Sequence, residues 1–178
     1  MNRRGFICLI GALAARPRAA RAQQGSGGRY AQTLGEMQRA YGKIAHPGET
    51  ARAAYVMRLI RLREKAARVK SDAWQAIDAE IKRYPAPIDS DSAALSSLRA
   101  GEWESPRHDY LYRPDGTWTM IPVEADVTHG SWRIEGNRSF ETVATEPPRS
   151  FQYTIILLTK RDFVFTDGEI VFYETRLK

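Results

Sequence analysis

The chain has 178 residues, 43% of them hydrophobic, with 27 basic and 21 acidic side chains, a single cysteine and a formal charge of +6. One cysteine excludes an internal disulfide framework, so stability must come from burial, for which this length suffices. The positive excess gives no case for a nucleic-acid partner: Arg3, Arg4, Arg16, Arg18 and Arg21 crowd into an acid-free amino-terminal stretch, and the rest carries 22 bases against 21 acids.

That stretch, Met1 to Gln23, combines the charged start Arg3-Arg4, an apolar run from Phe6 to Ala15, and Ala20-Arg21-Ala22 as an A-x-A cleavage site. It resembles a bacterial twin-arginine signal peptide, with Arg3-Arg4-Gly5-Phe6-Ile7 standing where that family has R-R-x-F and an apolar residue. The resemblance implies a signal peptide over residues 1–22, cleavage near Ala22, and export to the periplasm or beyond as a folded body. An apolar run of this length covers about 15 Å of helix, half a bilayer, so no transmembrane span is expected after cleavage. Cys8 leaves with the segment, and with it the only thiol nucleophile.

Residues 23–28, rich in Gly and Ser, read as a linker, and residues 29–84 as a helical region. Tyr30, Leu34, Met37, Tyr41 and Ile44 step by four and three along one face, until His46-Pro47-Gly48 breaks the pattern. Tyr55, Leu59, Leu62, Ala66 and Val69 continue it, widened by Val56 and Ile60. Ser71 or Asp72 offers a cap for a third stretch with Trp74, Ile77, Ile81 and Tyr84, which Pro85 and Pro87 end. A helical hairpin or a three-helix unit is expected, with short links and antiparallel neighbours.

Residues 85–94 read as a second linker, and from Leu95 to Lys178 the period changes to two. Seven strands are expected: Trp103–Tyr112, Thr117–Pro122, Ser131–Glu135, Arg138–Val143, Phe151–Thr159, Asp162–Thr166 and Glu169–Leu177. Asp115-Gly116, Gly136-Asn137 and Asp167-Gly168 supply the tight turns. The fold class is therefore α+β, a helical region followed by a small up-and-down antiparallel meander that hides its edges by curling or closing. Charge divides at the same boundary, with 12 bases and 6 acids in residues 29–83 but 10 and 15 in residues 84–178.

Gly101-Glu102-Trp103 opens the first strand and Arg176 lies in the last, a pairing that resembles lipocalin-like small-molecule-binding barrels. The resemblance covers about residues 95–178 and implies that Arg176 lies over the Trp103 ring and closes the barrel base. Full lipocalins have eight longer strands around a ligand cup. Here the strands are short, and Trp118, Met120, Trp132, Ile134, Phe140, Phe163 and Phe165 are the expected inward side chains, so the barrel is expected to be filled by its own residues.

Arg107, His108, Tyr110 and His129 are the candidate binding residues, at a rim of the barrel. Alternation puts His108, Tyr110 and Tyr112 on one face and Arg107 and Asp109 on the other, and His129 meets His108 only if their strands converge. Two histidines with Glu124 or Asp126 would supply ligands enough for zinc, but no close ligand spacing supports a metal, and neither a metal nor another cofactor is expected. No catalytic residues are assigned: G-x-S-x-G is absent, and Glu102, Glu104, Glu135 and Glu141 read as solvated strand positions. The aromatic residues Trp103, Trp118, Trp132, Tyr110, Tyr112, Tyr153 and Tyr173 read as core before they read as a sugar platform.

Arg58, Arg61, Lys65 and Arg68 form a basic stripe at helical spacing, a solvated face or a surface for an anionic envelope component. The expected function is that of a non-enzymatic exported binding or interaction protein. Two alternatives stand beside it: a small envelope hydrolase or isomerase using His108 or His129 as base, and an inhibitor or assembly partner of a secreted enzyme. The first requires an imidazole against a carboxylate; the second requires an uncovered apolar face along Tyr30 to Ile44.

Overall fold

The computed structural model describes residues 18–106, 108–122 and 126–177. Four helices precede eight strands: α1 (Arg18–Gly42), α2 (Glu49–Arg68), α3 (Ala73–Ile81) and α4 (Ser92–Arg99), then β1 (Gly101–Glu104), β2 (His108–Tyr112), β3 (Thr117–Pro122), β4 (Thr128–Glu135), β5 (Arg138–Val143), β6 (Arg149–Leu158), β7 (Asp162–Thr166) and β8 (Val171–Arg176). The strands form a closed barrel in sequence order, each antiparallel to its neighbours. Closure comes from β1 against β8, with Trp103 opposite Arg176 and Glu104 opposite Thr175. Together these make an α+β, lipocalin-like arrangement.

Three features differ from the sequence reading. The backbone of α1 is helical through residues 23–28, where a linker is expected, and from Arg18 onward. The segment 85–94 ends in a helix rather than running as linker into strand. Asp91 caps α4 by accepting from the Ala93 and Ala94 amides at 2.9 and 3.2 Å. Finally, Trp103–Tyr112 is two strands, because the Ser105 amide donates to the His108 carbonyl and folds the chain back at Ser105-Pro106.

Two cores share one wall. Leu34 of α1, the stripe Tyr55, Val56, Leu59, Ile60 and Ala66 of α2, and Ile77 and Ile81 of α3 pack against Ile156, Leu157, Val164 and Val171 on the outside of β6–β8. Inside the barrel, Trp103, Tyr112, Trp118, Trp132, Ile134, Ile155, Phe163 and Phe165 make the second cluster. β6 and β7 are thus apolar on both faces, which explains the unbroken runs Ile155-Ile156-Leu157-Leu158 and Phe163-Val164-Phe165. Polar ties fix the helices to this wall. Arg52 donates to the Tyr84 and Ile156 carbonyls at 2.7 and 2.6 Å, and Lys82 to the Gly168 and Glu169 carbonyls at 3.1 and 3.0 Å.

The base of the barrel carries the β2–β3, β4–β5 and β6–β7 turns and is stitched to the connector before α4. The Ala86 amide donates to the Ile155 carbonyl at 2.9 Å, and the Asn137 side chain donates to the Ala86 carbonyl at 2.8 Å. The opposite end, with the β1–β2, β3–β4, β5–β6 and β7–β8 connections, is the rim. Phe140, expected inward, faces out opposite Arg133, whose guanidinium lies 4.3 Å from its ring centre. The parity of β5 instead turns Ser139, Glu141 and Val143 inward.

Gly130 in β4 sits opposite Trp118 and Val143. A Cβ there would press into the Thr142 carbonyl oxygen and stand 2.6 Å from Trp118 Nε1. Gly130→Ala is therefore expected to cost about 2–3 kcal/mol in urea unfolding, since a backbone carbonyl cannot step aside as a side chain can. A loss within about 0.5 kcal/mol would show that the wall relaxes there.

Candidate functional site

The barrel base is built around Arg99. As the last residue of α4 it projects into the interior and is completely buried. Its guanidinium carbon lies 3.6 Å from the centre of the Tyr112 ring and 4.0 Å from that of Phe163. Nη1 donates to Glu174 Oε2 at 2.6 Å, while Nη2 stands 3.7 Å from Glu141 Oε1, an ion-pair separation without a hydrogen bond. Tyr112 donates its hydroxyl to the same Glu141 oxygen at 3.0 Å.

Two carboxylates facing one guanidinium leave a surplus negative charge in an apolar interior. Burial pushes the Glu141 carboxyl up to about 7, with Arg99 opposing that rise and Glu174 adding to it. Burial pushes Tyr112 well above the ordinary phenol range; Arg99 opposes the rise, while Glu141 and Glu174 add to it. Burial therefore favours the protonated form of the Glu141 carboxyl.

Trp103 joins this network to the mouth of α4, donating its indole N–H to the Arg99 carbonyl at 2.6 Å. The Arg176 guanidinium carbon is 5.2 Å from the Trp103 ring centre, and its Nη2 donates to the Ala100 carbonyl. Gly101 has φ +137, a conformation L side chains rarely adopt, and a Cβ there would collide with the Arg176 guanidinium.

The rim is different. His108, Tyr110, Met120, Val143, Tyr153 and Phe172 share the inward face with the buried base residues but are only half-buried. Phe151 follows the same parity at 44% exposed, and Val127 and Ile170 stand in the rim connections at 50% and 47%. His108 meets Tyr110 edge-on at 6.1 Å, and its Nδ1 is buried without a hydrogen-bond partner.

The proposed pairing of His108 with His129 is not brought together. β2 turns His108 inward, whereas His129 pairs with Thr119 on the outside of the wall, its Nδ1 3.2 Å from the Thr119 hydroxyl. Arg107 and Glu124 lie outside the described residues. Among the described residues, no carboxylate forms an ion pair with either imidazole, and no group of three His, Cys, Asp or Glu side chains could hold a metal. Glu141, expected at a solvated strand position, is buried, while Glu102, Glu104 and Glu135 are exposed.

Arg58, Arg61, Lys65 and Arg68 are all exposed on α2, and none is in an ion pair among the described residues. On α1, α2 buries Leu34 and stacks Tyr55 on Tyr41 at 4.2 Å between ring centres, leaving Ile44 exposed beside a groove of about 400 Å³ lined by Met37, Tyr41 and Ala51. A second groove, of about 540 Å³, lies on the outer wall of β3–β5. No helix of the described residues is long and apolar enough to cross a membrane.

Sequence reasoning missed Arg99, Glu141 and Glu174. Alternation in Val171–Arg176 places Glu174 on the face of Phe172, and an acid on an inward face asks for a buried cation. That was the available signal.

The fold and this interior define an α+β protein with a small, internally charged barrel. Comparison with known protein families, with curated proteins and with solved structures finds no match to any of the three.

Proposed function

We propose that this protein is a non-enzymatic exported binding module whose ligand is a small apolar or aromatic molecule seated at the barrel rim. The observation that carries the reading is the gradient along the inward face. Trp103 and Phe163 at the base are 0% exposed, whereas Phe151 at the rim is 44% exposed and its inward neighbours Tyr110, Tyr153 and Phe172 are half-buried. Aromatic side chains left partly exposed at the open end of a barrel supply the apolar contacts a small-molecule ligand needs. The charges of the base are enclosed beneath the rim, where Arg99 faces both Glu174 and Glu141.

The hydrolase or isomerase alternative needs a histidine oriented by a carboxylate, an arrangement not found among the described residues. Export rests on the amino-terminal pattern; cleavage after Ala22 would remove the first five residues of α1. The exposed basic stripe of α2 supports a further, salt-sensitive contact with an anionic envelope surface.

The test is a fluorescence titration with N-phenyl-1-naphthylamine, an uncharged probe that brightens in apolar surroundings. Saturable binding is expected, weakened about tenfold by Phe151→Ser combined with Tyr153→Ser, in line with the loss of two aromatic contacts. Unsaturable binding, or equal affinity in the double variant, would overturn the proposal.

A further inference from the structure

We propose that the outer-wall groove over β3–β5 binds a small oxyanion group, a carboxylate or a phosphate, between Arg113 and His129. This site is separate from the rim and does not depend on an apolar ligand there. The helices cover β6–β8, so this part of the wall is uncovered, and its groove of about 540 Å³ opens to solvent. The strand half of the chain carries an excess of acid, yet no Asp or Glu lines the groove. Its polar side chains are Arg113, His129, Thr117, Ser131 and Thr142, of which Thr117 donates its hydroxyl to Asp115 Oδ1 at 2.7 Å and Thr142 shares a 3.2 Å bond with Ser150.

A hydrogen-bond relay orders the two cationic groups. Arg113 Nη1 donates to Thr119 Oγ1 at 3.0 Å, and that oxygen lies 3.2 Å from His129 Nδ1. A guanidinium only donates, so the Thr119 oxygen accepts from it and keeps its own hydrogen for Nδ1 of a neutral imidazole. Nε2 then carries the ring hydrogen. If the imidazole is protonated, Nδ1–H donates to the second lone pair of Thr119, and Nε2 is again a donor. In both of these arrangements His129 presents Nε2–H, and Arg113 retains four further N–H groups beyond the one bound to Thr119. Fixed donors from two side chains, with no Asp or Glu in the lining itself, suit an oxyanion and disfavour a cation.

The experiment follows the His129 imidazole resonances of the folded protein during titration with inorganic phosphate and, separately, with acetate, at ionic strength held constant with chloride. Saturation with a dissociation constant of about 10 mM or below is expected for at least one anion, and which anion saturates identifies the preferred head group. Arg113→Gln and His129→Gln are each expected to weaken binding about tenfold, the loss of one charge-assisted bond. Arg133→Gln, which removes an exposed arginine paired with Glu135 on the same wall, is expected to leave it unchanged. The variants alter solvent-accessible positions, and an unchanged far-ultraviolet spectrum verifies their fold. No saturation with either anion, or equal affinity in Arg113→Gln, would overturn the site. Both results are independent of the naphthylamine titration at the rim.

Discussion

Arg99→Leu is expected to destabilise the protein by about 3–5 kcal/mol, because it leaves Glu174 and Glu141 buried without a cation. Two effects combine in that loss. The Glu174 carboxylate forfeits a 2.6 Å charge-assisted bond, and Tyr112 and Phe163 lose the guanidinium packed 3.6 and 4.0 Å from their centres. A domain of this size holds only about 5–15 kcal/mol in all, so the variant is expected to melt about 10 °C or more below the parent. Leucine preserves only the apolar contact of the side-chain stem, so the drop combines the lost charge with the lost packing on Tyr112 and Phe163. Adding Glu141→Gln and Glu174→Gln to Arg99→Leu is expected to restore part of the stability, since an uncharged network removes the stranded carboxylates. Urea unfolding followed by tryptophan emission measures both. A single variant within about 1 kcal/mol of the parent would mean that the three charges are not coupled.

The second large effect is on pH. Between the ordinary carboxyl value of 4.5 and about 7, the native protein holds a proton on Glu141 that the unfolded chain has released. Unfolding free energy therefore falls as pH rises through that window, and Glu141 contributes its full stabilisation only below it. A difference of about 2.5 pH units corresponds to about 3 kcal/mol. Glu141→Gln keeps an acceptor for the Tyr112 hydroxyl and cannot ionise. It is expected to match the parent near pH 5, to exceed it in stability at pH 8, and to abolish this part of the slope. Glu80 runs the other way. Despite the opposing effect of burial, Gln38, Tyr55 and Tyr84 donating to it and the Arg83 charge hold its carboxyl low, so its stabilisation is lost on acidification below the ordinary range. The difference between parent and Glu141→Gln isolates the barrel carboxyl from this helical one. A parent curve flat from pH 5 to pH 8, parallel to that of the variant, would contradict the raised Glu141 carboxyl.

The sequence was most legible where local rules and the fold agree. The stripe from Tyr30 to Tyr41, the stripe along α2, and Ile77 with Ile81 are the faces that build the core between the helices and the barrel wall. The turns at Asp115-Gly116, Gly136-Asn137 and Asp167-Gly168 place glycines at φ +83, +56 and +101. Legibility failed where tertiary context overrides alternation. α4 is eight residues long and weakly apolar, and its stability comes from the Asp91 cap and from the barrel it plugs. The β1–β2 turn is held by Ser105, whose hydroxyl accepts from the His108 amide at 3.2 Å, a bond with no two-residue glycine signature. Glu141 looked solvated because acids usually are; only the closure of the barrel turns its face inward, and only Arg99, from a different element, makes that tolerable.

Mapping amide chemical shifts during titration with N-phenyl-1-naphthylamine tests the proposed ligand site at the barrel rim most directly. Perturbations are expected at Tyr110, Met120, Val143, Phe151, Tyr153 and Phe172, with the α1–α2 groove and the Arg99 base unmoved. Perturbations concentrated at Met37, Tyr41 and Ala51, or none that saturate, would contradict it.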